Sequence, residues 1–149
     1  DVVFKYNGTL DKIVGDELMV LYGVPLKNEN DTFDAVKTAV EMFKALDKFN
    51  KKIISEGYEP FRIGIGINQG KAVSGNIGSD QQMNYTVIGD TINLGARLCS
   101  HAKSGEILIS KTVKDIIGRQ FSFKKIPSIK VKGKAKVINV WLYEHKENN

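Results

Sequence analysis

The sequence predicts an α/β (α+β) fold in which helices flank a mostly antiparallel sheet. Alternating runs of Val, Ile, Leu and Tyr predict several hairpins, and other stretches carry the three- and four-residue apolar spacing of amphipathic helices. Because hairpins are interspersed with helices, the pattern favours a sandwich over a doubly wound parallel fold. A chain of 149 residues with 42% hydrophobic content is long enough for one domain, residues 1–149, with its own core.

The first elements predicted are the end of a helix and a hairpin. Residues 1–7 resemble the last turn of a helix. The runs 9–14 and 17–23 are rich in β-branched and aromatic residues and flank Gly15 and Asp16, which predicts two strands joined by a tight turn.

A long helix and a glycine-rich strand pair are expected next. Seven apolar residues recur at spacings of three and four across residues 31–56, which predicts the clearest helix of the chain. Residues 61–70 and 71–78 are expected to pair as strands, with the glycine face of the first packed closely by another element. The glycines at 64, 66 and 70 do not have the dinucleotide-binding spacing and lie within a strand, which excludes a Rossmann interpretation.

The second half of the chain predicts two helices, a short strand and a terminal hairpin. Residues 91–104 and 111–118 have helical patterns, and 106–110 is an apolar strand between them. Residues 121–131 and 137–145 alternate as the two arms of a hairpin.

Charge and composition narrow the function classes. The net charge is +5, and seven basic residues but no acidic one lie between Ile116 and Tyr143. A basic stretch suggests an anionic partner, although a solvated edge strand protected by lysines is the simpler explanation. The central strands carry Ile, Gly and Val instead of stacking aromatics, so we expect no nucleic-acid partner. The single cysteine, Cys99, fits a cytoplasmic protein or the cytoplasmic part of a membrane-anchored one.

The helix at 91–104 carries the most suggestive polar pair. Asn93 and Arg97 are four residues apart and should project from one face, at the border of an apolar side formed by Ile92, Ala96 and Cys99. An amide and a guanidinium placed together could hold a sugar oxygen and a phosphate. The alternative is a surface helix whose arginine pairs with a neighbouring carboxylate.

Four motifs together resemble one known family. They are GTLDKIVGDELMVLYGVP, RIGIGINQGKAVSGNIG, NYTVIGDTINLGARL and VKGK, in that order. Their order and spacing are similar to those of the catalytic domain of class III nucleotide cyclases, the adenylate and guanylate cyclases, from about residue 1 to 144. The resemblance implies a ferredoxin-like cyclase fold that converts a nucleoside triphosphate into a 3′,5′-cyclic monophosphate and pyrophosphate.

The resemblance also implies partners and cofactors. The family acts as a head-to-tail dimer with two divalent metals, so a homodimer or a paired cyclase domain, two Mg²⁺ or Mn²⁺ ions and an upstream sensor domain are expected. Asp16 matches one of two metal-binding aspartates, and Lys12 and Thr86 match the positions that read the base. Lys12 favours ATP, because guanylate cyclases usually carry an acidic residue there, although a guanylate cyclase remains the alternative.

The remaining matched positions concern the sugar and the phosphates. Asn93 would orient the ribose, and Arg97 would stabilise the α-phosphate in the transition state. Lys132, or with less support Lys134, would contact the triphosphate.

The chain departs from the family pattern at its start. The strand that carries the other metal-binding aspartate is absent, so we expect a longer cyclase cut within its first helix, with the first strand missing. By itself such a piece should be inactive or weakly active. A non-catalytic cyclase-like module that binds nucleotide or a regulatory partner is the second interpretation.

Overall fold

The computed structural model describes residues 1–79, 82–130 and 136–146, excepting the side chains of 76–79 and 82–86. The chain forms two compact units, residues 1–63 and 64–149. It has the mixed helix-and-strand composition with largely antiparallel sheets that the sequence predicts. Within the described part of the chain, no helix combines the length and apolar character needed to cross a membrane.

The first unit contains a short helix, a hairpin and a long helix. Helix α1 spans Val2–Lys5, strands β1 and β2 span Thr9–Val14 and Glu17–Leu21, and helix α2 spans Asp31–Ser55. All four elements were predicted, because each has a local signal of period 2 or 3.6 in the sequence.

The hairpin β1–β2 closes through a two-residue turn. Val14 pairs with Glu17, so Gly15 and Asp16 form the whole loop. Gly15 has φ of 61°, which fits the first central position of a type II′ turn, where glycine is favoured. The pairing register of β1 shifts between Leu10 and Lys12, which leaves Asp11 as the extra residue of a β-bulge.

Helix α2 is anchored through a buried polar chain as well as through its apolar face. The Tyr22 hydroxyl donates to Thr38 Oγ1 at 2.6 Å, and the Thr38 hydroxyl donates to the Asp34 carbonyl at 2.7 Å. Burial raises the pKa of the Tyr22 hydroxyl, although its hydrogen bond with Thr38 opposes the rise. The contact fixes the end of the hairpin against the helix, because leaving either hydroxyl unpaired would be costly.

In its described residues, the second unit contains six strands and two helices. The elements in chain order are β3 (Ile65–Ile67), β4 (Val73–Ser79), β5 (Gln82–Ile88), α3 (Asp90–His101), β6 (Ile107–Ser110), α4 (Lys111–Ile117), β7 (Phe123–Lys130) and β8 (Val137–Tyr143). A four-stranded sheet has the order β3-β6-β8-β7, and β4 pairs with β5 in a separate antiparallel ribbon.

The expected pairing of residues 61–70 with 71–78 is wrong. Strand β3 lies parallel to β6, with Ile65 opposite Ile107, and β4 pairs with β5 instead. The alternation of apolar residues identified β3 and β4 as strands but carried no information about their partners. A parallel partner about 40 residues away has no local signal, because the connection passes through a ribbon and a helix.

The core of the second unit joins α3 to the middle of its sheet. Leu98 of α3, Leu108 of β6 and Val140 of β8 are fully or almost fully buried and contact one another. This packing fixes one side of α3 and leaves its other side available for different contacts.

Candidate active site

Helix α3 lies on strand β3 at backbone distance. A Cβ added to Gly66 would overlap the Cys99 nitrogen and lie 2.7 Å from the Gly95 carbonyl oxygen. A Cβ added to Gly64 would lie 2.7 Å from the Ala102 carbonyl oxygen. The two glycines therefore allow the helix to approach the strand directly, which confirms the predicted close packing on the glycine face.

The first turn of α3 is held by the preceding loop. Asn68 Nδ2 donates to the Thr91 carbonyl at 3.0 Å, and the Thr91 hydroxyl donates to the Lys71 carbonyl. Gly89, with φ of 137°, directs the chain into the helix, and its carbonyl accepts from the Asn93 nitrogen at 3.2 Å. Hydrogen bonds of both side chains and backbone therefore hold the first turn of α3, where Asn93 lies.

Asn93 and Arg97 share the side of α3 that faces away from β3. At about 100° per residue, Asn93 and Arg97 are about 40° apart around the helix axis. Asn93 lies on the opposite side of the helix from Ala102 and nearly opposite Gly95, the residues that contact β3. Asn93 is exposed and Arg97 is half-buried. Among the described residues, neither side chain has a hydrogen-bond or ion-pair partner. The alternative in which Arg97 pairs with a neighbouring carboxylate is therefore not found in the described part.

The expected apolar side of α3 needs a correction. Ala96 is exposed, and the packed side is formed by Gly95, Leu98, Cys99 and Ala102. The hydrophobic side chains predicted an apolar side of α3 that is shifted by about one residue from the packed side. The shift arises because the closest contact is made by the helix backbone, which packs on a glycine of β3. Asn93 and Arg97 consequently lie farther from the packed side than predicted.

Lys12 and Asp16 occupy different parts of the hairpin. Lys12 lies in β1 with 44% of its side chain exposed, and its ammonium is 3.7 Å from the Asp11 carboxylate. Asp16 lies exposed in the two-residue turn. Within the described residues, Lys12 pairs with Asp11 and not with Asp16.

Three other predicted positions are only partly described or undescribed. Thr86 lies in β5, where its backbone is opposite Gly75, but nothing is described of its side chain. Lys132 and Lys134 lie outside the described residues. Their expected contacts with base and triphosphate stay predictions.

Asp16 is suited to hold a cation but does not form a site alone. An exposed carboxylate on a tight turn is a typical ligand of Mg²⁺, which is commonly held by one or two carboxylates and by substrate phosphates. The described residues contain no group of three His, Cys, Asp or Glu side chains that could enclose a metal. The donor type therefore fits the expected ions, with further oxygens required from the nucleotide and from elsewhere.

These motifs and this fold match a known family. A family model described as the adenylate and guanylate cyclase catalytic domain matches residues 5–144. The chain belongs to this family of nucleotide cyclase catalytic domains, which confirms the resemblance drawn from the sequence.

Some of the similar proteins are named adenylate cyclases and others are named guanylate cyclases. The chain is 34% identical to an adenylate cyclase of Anabaena cylindrica over 91% of this chain and 28% of the relative. It is 33% identical to the solved adenylyl cyclase CyaB from P. aeruginosa, with a TM-score of 0.91 over 98% of this chain and 76% of that one. It is 34% identical to the solved guanylyl cyclase Cya2, with a TM-score of 0.88 over 95% of this chain and 72% of that one.

The chain is much shorter than the curated relatives it matches. It spans 28% of the Anabaena protein and 6% of an adenylate cyclase of Dictyostelium discoideum, to which it is 32% identical over 91% of this chain. The match therefore covers only a minor part of each of these two relatives.

One polar residue beside a predicted site residue was missed. Asp11 has only 7% of its side chain exposed, and its Oδ2 has no hydrogen-bond partner among the described residues. The two-residue alternation of a strand predicts that Asp11 and Lys12 point to opposite faces. Nothing in the sequence predicts the bulge at Asp11, where the two side chains come close.

Proposed function

We propose that the chain is the core of an adenylate cyclase that converts ATP into 3′,5′-cyclic AMP and pyrophosphate for intracellular signalling. The observation that supports it most is the Asn93–Arg97 pair on the outer side of α3, whose side chains have no partner among the described residues. Two polar groups at this spacing, in a chain of the cyclase family, are suited to bind a ribose and a phosphate.

Ring closure defines what these side chains would have to do. The ribose 3′-oxygen attacks the α-phosphorus in line, pyrophosphate leaves, and negative charge grows on the equatorial and leaving oxygens. Arg97 would donate its planar fork to those oxygens, where a fixed cation stabilises the transition state more than the ground state. Asn93 would hold the ribose so that its 3′-oxygen is aligned, and Lys132 or Lys134 would bind the triphosphate.

Asp16 is the carboxylate that this chain would contribute to metal binding. When bound, two Mg²⁺ or Mn²⁺ ions would supply Lewis-acid charge and lower the pKa of the attacking hydroxyl. Asp16 would hold them on its exposed turn, together with phosphate oxygens.

Base selection would depend on Lys12 and Thr86. Adenine presents an acceptor at N1 and a donor at its 6-amino group, which match the Lys12 ammonium and the Thr86 hydroxyl respectively. Guanine presents the opposite pattern at these atoms, so a lysine at position 12 favours ATP. The exposure of Lys12 supports this role, because 44% of its side chain is accessible.

The proposed active form is a head-to-tail homodimer, or this domain with a paired cyclase domain. In such a dimer each pocket takes side chains from two copies. Lys12 and Asp16 of one copy would then serve different pockets, which agrees with the absence of an ion pair between them in the described residues. We propose that the protein works in the cytoplasm under the control of a sensor domain.

A product assay tests the proposal. The complete gene product is incubated with Mn²⁺ and with ATP or GTP at equal concentration, and cyclic nucleotides are separated and quantified. We expect cyclic AMP as the main product and a lower ATP preference for Lys12→Ala. Formation of no cyclic nucleotide would contradict the proposal and favour a non-catalytic nucleotide-binding module.

A guanylate cyclase is the second candidate. It is favoured by the 34% identity and the TM-score of 0.88 to the guanylyl cyclase Cya2. Cyclic GMP as the main product in the same assay would select it over the adenylate cyclase.

A further inference from the structure

Asp11 has a buried carboxylate oxygen, Oδ2, that lacks a hydrogen-bond partner in the described part of the chain. Its side chain is 7% exposed, and among the described residues its Oδ2 accepts no hydrogen bond. The nearest cation is the Lys12 ammonium at 3.7 Å, beyond ordinary hydrogen-bonding distance. Burying a carboxylate without hydrogen bonds is costly, so this position is not explained by stability alone.

The register shift in β1 lies at the contact of Asp11 with Lys12. Leu10 is opposite Val20 and Lys12 is opposite Met19, so Asp11 is the extra residue between two paired positions. Consecutive side chains of a regular strand point to opposite faces, whereas the Asp11 carboxylate lies 3.7 Å from the Lys12 ammonium. The interruption of the regular pairing therefore coincides with the contact between the two side chains.

This arrangement affects the freedom of the Lys12 side chain. A half-exposed lysine samples many rotamers, and binding a ligand requires most of that freedom to be lost. A buried negative charge at 3.7 Å restricts the ammonium to one region without engaging it in a short hydrogen bond. The three donors of the ammonium thus remain available to an acceptor on a ligand.

We propose that Asp11 is a positioning residue that holds the Lys12 ammonium toward the purine base and thereby strengthens discrimination of adenine from guanine. The inference rests on the proposed function, in which Lys12 reads the base. Asp11 itself touches no substrate in this account. The bulge supplies the geometry, and such bulges commonly redirect a side chain beside an active site.

The test measures purine discrimination in the absence of turnover. Dissociation constants for 3′-deoxy-ATP and 3′-deoxy-GTP, which lack the attacking hydroxyl, are measured with Mn²⁺ by calorimetry on the complete gene product. Asp11→Asn keeps the side-chain shape and removes the charge. We expect it to lower the affinity ratio of the adenine to the guanine nucleotide by about two- to fivefold, the effect of an ion pair of up to about 1 kcal/mol.

Two controls separate positioning from folding. Asp34→Asn changes another buried carboxylate, which accepts from Asn7 at 3.3 Å, and should lower the melting temperature without changing the ratio. Asp11→Asn combined with Lys12→Ala should match Lys12→Ala alone, because Asp11 acts only through Lys12.

The outcomes distinguish the two proposals. An unchanged ratio in Asp11→Asn with a lowered ratio in Lys12→Ala overturns the positioning role and leaves the proposed function standing. An unchanged ratio in Lys12→Ala overturns the base-reading role and the inference with it. Equal loss of affinity for both nucleotides in Asp11→Asn also overturns the inference, since a purely structural role would give that result.

Discussion

Arg97 lies on the side of α3 that does not pack into the core. Leu98 next to it is fully buried and contacts the sheet, whereas Arg97 is half-buried and has no partner among the described residues. In the proposed function this guanidinium binds a phosphate of the ligand, and no described residue competes with the ligand for it.

Replacement of Arg97 by alanine should impair catalysis far more than folding. We expect the turnover number of the complete gene product to fall by about 10²–10³-fold, the usual effect of removing one charge-stabilising donor from a transition state. Cyclic AMP formation at saturating ATP and Mn²⁺ measures it, and the melting temperature should be nearly unchanged.

The control for Arg97 is Arg119, an exposed arginine that follows α4 in the same unit. Arg119→Ala removes the same charge and should leave turnover within about twofold, since surface substitutions away from a site have small effects. A comparable loss of turnover in both variants would indicate a general effect of charge and contradict the specific role of Arg97.

At the scale of elements, the position of α3 depends on two residues without side chains. Gly64 and Gly66 let the backbone of the helix approach the backbone of β3, and the carbonyl of Gly95 and the nitrogen of Cys99 occupy the space of the absent Cβ atom at Gly66. Side-chain packing alone holds helix and strand farther apart, so a larger residue must displace the helix or deform the strand.

The substitution Gly66→Ala should therefore destabilise the protein. Because the added Cβ would meet backbone atoms that cannot rotate away, we expect the free energy of unfolding to fall by about 2 kcal/mol or more. Urea denaturation followed by circular dichroism measures it on the 149-residue chain. The matched control is Gly75→Ala in β4, where a Cβ would meet nothing within 4 Å, and an equal loss there would refute the packing argument.

The elements differ in how far the sequence could predict them. The spacing of Asn93 and Arg97 on one helix face follows from the 3.6-residue period, and the glycine face of β3 indicated close packing. The parallel pairing of β3 with β6 was missed because strand partners are chosen by tertiary packing. The contact of Asp11 with Lys12 was missed because a bulge reverses the alternation on which strand interpretation rests.

At the scale of the whole molecule, the described residues contain no complete metal site. Asp16 is a single exposed carboxylate, and no group of three ligating side chains occurs in residues 1–79, 82–130 and 136–146. The proposed reaction would use two cations held in register. The family was predictable from four motifs in order, and the expectation of a single metal-binding aspartate, Asp16, stays a prediction.

The 149-residue chain alone should therefore form little or no cyclic AMP. We expect its rate with ATP and Mn²⁺ to be at least about 10²-fold below that of the CyaB catalytic domain assayed beside it, because Asp16 by itself cannot align two cations. Radiolabelled ATP and separation of the product measure both rates. A rate similar to that of CyaB would contradict the expected lack of a metal ligand.

The direct seating of α3 on β3 has a consequence for how such sequences diverge. Because the two main chains touch at Gly64 and Gly66, the height of the helix above the sheet is set by peptide atoms that every sequence shares. Neighbouring core side chains can then exchange for others of similar volume over evolutionary time without moving the amide and guanidinium that the helix presents. Amino-acid replacements should accordingly be tolerated around the contact of α3 with β3, but not at Gly64 and Gly66.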